Sequence, residues 1–235
     1  MDDFKRICSK LSRSYVTIVA LGDSNTEVNH WTLGALNYVG LLQCNLWQIF
    51  GAKGFSIINS GVGGDDIFRA TARLERDLLR FKPDLAIVSL GLNDSRSPDV
   101  SAFKKAYGKL LVNLRKNNVE ILTRTPNPPV NMIDGSEMRT FLENGAEVVF
   151  RTSEYSEAIR ELSSKHGVCC VDHYSLWSKS LRAACHGEMT MLMGNYLHPN
   201  GNGHRRFYHE LAPVLGLSEH FQFDFRNLIA GQREK

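Results

Sequence analysis

Several short segments carry residue types that could perform acyl transfer. Ser24 stands in Gly22-Asp23-Ser24-Asn25-Thr26, and Gly63 and Gly64 end Asn59-Ser60-Gly61-Val62-Gly63-Gly64. Asn93 stands in Gly91-Leu92-Asn93-Asp94, and His198 in Leu197-His198-Pro199-Asn200. A serine hydroxyl is a weak nucleophile until a base takes its proton, and histidine is the usual base. Glycine lets a backbone N–H approach a substrate closely, and a neutral Asn amide donates well to a developing oxyanion. Each segment also has a plainer use. Ser, Asp, Asn and Thr cap helices, paired glycines make tight turns, and a histidine in a chain with eight of them usually sits on a surface loop. Their joint occurrence favours chemistry, because nucleophile, oxyanion donors and base together complete the set for acyl transfer.

The elements that must position these residues are legible around them. Apolar, β-branched runs at Thr17 to Leu21, Phe55 to Ile58 and Leu85 to Leu90 each lead directly into one of the first segments. Val119 to Thr123 and Val168 to Val171 read as two further strands. Helical patterns lie near Leu36 to Phe50, up to about Arg80, near Ala102 to Lys116, and from after Pro199 to about Leu215. Alternating strands and helices predict an α/β fold with a five-stranded parallel sheet covered on both faces. In such sheets the ligand site lies outside the carboxyl ends of the strands, so the separate turns should converge on one crevice. Pro199 would suit the first turn of the last helix and fix the approach of His198. Asp23, Asn59, Asp65 and Asp94 are expected to support the turns by bonding nearby backbone N–H groups.

Composition sets limits on the alternatives. The chain of 235 residues is 43% hydrophobic and 23% charged, enough for a packed core in a single domain, with a body at about 15–216 and a C-terminal extension at 217–235. A net charge of +3, with Lys and Arg scattered, gives no sign of a nucleic-acid binder. No run is long enough to span a membrane, and Met1-Asp2-Asp3-Phe4-Lys5 lacks the pattern of a secretion signal. Five cysteines without disulfide or zinc spacing fit a reducing cytoplasm. Phe221, Phe223 and Phe225 recur at period 2 in the tail, which suits docking on the protein's own body ahead of a homo-oligomer contact. Pro126 to Gly145 reads as a long functional loop.

The ordered blocks GDSN, Asn59-x-x-x-x-Gly64, GLND and LHP resemble those of the SGNH hydrolases, the GDSL-like esterases and lipases, from about residue 17 to 215. The resemblance implies a three-layer α/β/α sandwich related to flavodoxin-like sheets. It implies Ser24 as nucleophile and His198 as base. It also implies an oxyanion hole of the Ser24 N–H, the Gly64 N–H and the Asn93 side chain, with no metal or cofactor. The family usually places Asp three residues before the histidine, and here that residue is Asn195. An Asn carbonyl can accept the imidazole N–H but adds no negative charge. In a serine protease the same exchange lowers turnover by about 10⁴, through the wrong tautomer. Three readings stay open: a Ser–His pair oriented by Asn195 or a backbone carbonyl, Asp172 approaching His198 instead, or an Asp changed at this position.

The expected reaction is hydrolysis of a small-molecule or carbohydrate ester with a short acyl group, carbohydrate O-deacetylation among the candidates, through an acyl-enzyme on Ser24. An acyltransferase would use the same site. A non-catalytic module for an acylated glycan is a second class, kept open by Asn195. A nucleotide or flavin binder finds little support, since GVGGDD lacks the residues of a phosphate loop. Trp31 and Trp177 could stack on a sugar ring or pack internally.

Overall fold

The computed structural model describes residues 14–51, 54–182 and 186–217. The tail aromatics at 221, 223 and 225 lie outside those residues. One sheet organises the described chain. It is built from β1 (Val16–Gly22), β2 (Phe55–Gly61), β3 (Leu85–Ser89) and β4 (Glu120–Arg124), completed by β7 (Cys169–Val171) after an intervening hairpin, β5 (Thr140–Glu143) and β6 (Ala146–Val149). The five sheet strands run parallel in the order β2-β1-β3-β4-β7. The connection from β1 leaves toward β2 and the one from β3 leaves toward β4, in opposite directions, so the topological switch point lies at the carboxyl ends of β1 and β3.

The apolar strands are continuous because both of their faces are covered. Val16, Ile18 and Ala20 pack with α1 (Tyr38–Phe50) and α8 (Gly201–Leu211), whereas Val19 and Leu21 point to the other side. There they meet α2 (Ile67–Ala72), α4 (Val100–Lys116) and α5 (Thr152–Lys165). This period-2 division makes the three-layer α/β/α sandwich. A short α3 (Leu74–Asp77), then α6 (His173–Arg182) and α7 (His186–Met191), complete the helices among the described residues. Among those residues no helix is long and apolar enough to cross a membrane.

Three expectations need correction. The helix expected to run to about Arg80 is divided into α2, α3 and a 3-10 turn, Leu79–Phe81. It breaks at Arg73, whose guanidinium turns back to Asp65 (2.6 Å) and to the Gly22 carbonyl (3.1 Å). Pro199 does not open α8. Asn200 caps it instead, accepting from the N–H groups of Asn202 (2.9 Å) and Gly203 (3.2 Å), and Pro199 precedes the cap. The expected loop at 126–145 contains β5 and the start of its hairpin, turned at Asn144 (φ 53°) and Gly145 (φ 80°). Positive φ at both positions is what a tight hairpin turn requires.

Candidate active site

Ser24 leaves β1 at the switch point, half-buried, and His198 lies on the loop before α8. Across 174 residues of chain, the Ser24 hydroxyl donates to His198 Nε2 at 2.9 Å. His198 Nδ1 stands 3.0 Å from Asn195 Oδ1. That same oxygen accepts the backbone N–H of Leu197 at 2.8 Å and of His198 at 2.7 Å. Asp172 does not approach this histidine. It accepts from Arg160 at 3.0 Å and caps the start of α6 through the Ser175 N–H at 3.1 Å. Of the readings for the base, Asn195 is therefore the residue that the structure brings to His198.

The expected oxyanion donors gather on adjacent turns. Asp65 N–H closes a turn onto the Val62 carbonyl at 3.2 Å. Gly64 occupies its third position at φ 78°, a conformation that an L side chain would strain. A Cβ placed on Gly63 would lie 4.0 Å from Ser24 Cβ, so this turn abuts Ser24. Asn93 donates one Nδ2 hydrogen to the Asp65 carbonyl at 2.9 Å. That bond fixes the plane of the amide and leaves its second hydrogen for a ligand.

The supporting residues tie one turn to the next. Asp23 accepts from the Asn25 N–H at 2.9 Å, as expected of a local brace. Asn59 donates to the Thr26 carbonyl at 2.7 Å and accepts from the Gly61 N–H at 2.9 Å. Asp94 reaches farther than expected, accepting the Ile67 N–H at 2.9 Å and so joining the third turn to α2. Burial raises the Asp23 carboxyl to about 7, against the pull of the Asn25 N–H and the Arg124 charge. Burial likewise raises Asp94 to about 6. His198 moves the other way, to about 4, because burial penalises the imidazolium and His30 repels it. Its imidazole is therefore neutral, and able to accept a proton, well below pH 7.

Several participants are not evident in the sequence. Asn127 accepts from Asn25 Nδ2 at 2.9 Å and donates to the Leu197 carbonyl at 3.3 Å, so it links the turn that carries Ser24 to the loop that carries His198. Its position in Pro126-Asn127-Pro128, at the carboxyl end of β4, was the available signal. Arg124, charged and at a strand end, is only 1% exposed; its guanidinium lies between the rings of Tyr38 (4.4 Å) and Phe207 (4.0 Å). Of the two tryptophans considered for sugar stacking, Trp177 is wholly buried, packs on Phe207 and donates to Glu210 at 3.1 Å. Trp31 instead lies against His198. Among the described residues no group of three or more His, Cys, Asp or Glu could hold a metal ion.

A model of the GDSL-like lipase/acylhydrolase family matches residues 20–206. The Bacillus subtilis uncharacterised lipoprotein YqeF is 25% identical over 212 positions, covering 81% of this chain and 83% of the relative. The acetyl xylan esterase AlAXEase is similar in structure, with TM-score 0.69 and 24% identity over 85% of this chain and 99% of its own. Axe2, an acetylxylan esterase from Geobacillus stearothermophilus, has TM-score 0.69 and 18% identity over 89% of this chain and 98% of its own. These structural likenesses show a common fold. Catalytic mutants of Axe2 replace a serine, a histidine and an aspartate three residues before that histidine.

Proposed function

Because the chain belongs to the GDSL-like lipase/acylhydrolase family and is accordingly a carboxylic ester hydrolase, we propose that it acts through an acyl-enzyme on Ser24, with His198 as general base oriented by Asn195. The observation that carries this reading is the hydrogen-bonded line from Asn195 Oδ1 through the imidazole to Ser24 Oγ. In the first step the Ser24 oxygen attacks the ester carbonyl while His198 Nε2 takes its proton. The Ser24 N–H, the Gly64 N–H and the Asn93 amide receive the oxyanion. The imidazolium then protonates the leaving alcohol. Water repeats the sequence on the acyl-enzyme and releases the acid.

The substrate we propose is a short acyl ester of a carbohydrate, an acetyl ester foremost. Support comes from the acetyl xylan esterases of the same fold. A series of p-nitrophenyl esters, run beside acetylated xylo-oligosaccharides, tests this. Acetate should be the best acyl group, with rates falling from butyrate onward. A maximum at long acyl chains would contradict the short-acyl reading.

A further inference from the structure

The Trp31 indole stands parallel to the imidazole of His198, with ring centroids 5.2 Å apart and planes 4° from parallel. We propose that this indole is a positioning residue for the base. It holds the imidazole in the line from Asn195 to Ser24 and stabilises the imidazolium, a task for which Asn195 offers no charge. The inference rests on the acyl-enzyme reading above and deepens it.

The stack is held from several sides. Asn29 accepts the Trp31 N–H at 3.0 Å and donates to the Ser24 carbonyl at 2.6 Å, so the turn bearing the indole is tied to the nucleophile itself. On the other side, a Cβ at Gly194 would fall 2.9 Å from the Trp31 carbonyl oxygen and 3.2 Å from its Cβ. The base loop thus presents a glycine, next to Asn195, where Trp31 must approach. Nucleophile, indole and base loop form one interlocked unit.

Chemistry supplies the reason for such an arrangement. As the Ser24 Oγ–carbonyl bond forms, the hydroxyl proton passes to Nε2, and the positive charge spreads over the ring facing Trp31. It leaves when the proton passes to the departing alcohol oxygen. The titratable groups whose charge bears on this imidazole are His30, from the indole's own turn, and His204, from α8. Neither would stabilise a cation, and among the described residues no carboxylate bonds to His198. The face of an indole carries negative potential, and a cation within about 6 Å of its centroid is attracted to it. In a desolvated site this attraction can change a rate by about tenfold.

The test compares Trp31→Leu, which fills space without a π face, with Trp31→Phe, which keeps one. Both are made in the parent and in Asn195→Asp, and their kcat and KM for p-nitrophenyl acetate are measured beside thermal melts. Trp31→Leu should lower kcat about tenfold with KM little changed, and Trp31→Phe should keep the larger part of kcat. In the Asn195→Asp background, where a carboxylate supplies the charge, the loss should shrink to about twofold. Equal kcat in all variants, or an equal loss in both backgrounds, overturns the proposal. So does a loss confined to KM for an acetylated xylo-oligosaccharide, which would make Trp31 a sugar platform. Should Trp31→Leu fail to fold, progressively fluorinated tryptophan at position 31 weakens the π face at nearly constant shape, and kcat should fall with fluorination; a flat response overturns the proposal. Ser24→Ala in the same assay separates the two levels. Activity in that variant removes the acyl-enzyme reading, whereas its absence alongside normal Trp31 variants removes only this inference.

Discussion

Asn195 turns its carboxamide oxygen, not its nitrogen, toward Nδ1 of His198. The backbone enforces this orientation, since the same oxygen accepts the N–H groups of Leu197 (2.8 Å) and His198 (2.7 Å). A flipped amide would set its NH₂ against both donors. Nδ1 therefore carries the proton and Nε2 presents its lone pair to Ser24, the tautomer that a base requires. The tautomer error that accompanies Asp→Asn in a serine protease is avoided here. What Asn195 does not supply is charge.

Restoring that charge should be visible in the pH profile. With the imidazole held at about 4, the acid limb of kcat/KM is expected near that pH. Asn195→Asp places an anion beside Nδ1, favours the imidazolium and raises the pKa. The limb should move up by about 1–3 pH units, and kcat at pH 7–8 should rise at least about tenfold. An acid limb that stays in place would mean that Asn195 does not act on the base.

Asn93 is the side-chain donor that the Asp65 carbonyl holds in place at 2.9 Å. Asn93→Ala should lower kcat by about 10²–10³ with little change in KM, since the oxyanion exists only beyond the ground state. Steady-state kinetics beside a thermal melt check this. A loss of KM alone would make Asn93 a substrate contact.

Asn127 ties the turn of Ser24 to the loop of His198, through Asn25 (2.9 Å) and the Leu197 carbonyl (3.3 Å). Asn127→Ala strips the buried Asn25 amide and the part-buried Leu197 carbonyl of their partner, a cost of about 1–3 kcal/mol, or several degrees in Tm. The kcat should fall while the oxyanion donors stay in place. A lower Tm with unchanged kcat would confine Asn127 to stability.

Much of this site was legible in the sequence because its parts are local. Ser24, Gly64 and Asn93 each follow an apolar run, and a parallel sheet sends such turns to one edge. His198 and Asn195 lie three residues apart on one loop, so their contact needs no tertiary information. The hairpin also had its signal, Asn144-Gly145 between Thr140–Glu143 and Ala146–Val149, but the Pro- and Asn-containing stretch before it reads as loop. Trp31 and Arg124 are different. A tryptophan in a polar loop carries no mark of the imidazole 167 residues away on which it stacks. An arginine ending a strand reads as solvated, and only the packing of α1 and α8 encloses it between Tyr38 and Phe207. Those relationships exist only once distant elements have packed.

The central claim is that Ser24 is acylated and turned over although the base lacks a carboxylate partner. The most direct measurement is mass spectrometry of the protein mixed with p-nitrophenyl acetate and quenched within the first turnovers, with Ser24→Ala in parallel. The account predicts one added acetyl group, mapped to the peptide containing Ser24, absent from the variant and decaying at the rate of steady-state turnover. An unmodified Ser24 peptide during sustained ester hydrolysis, or hydrolysis undiminished in Ser24→Ala, would contradict it.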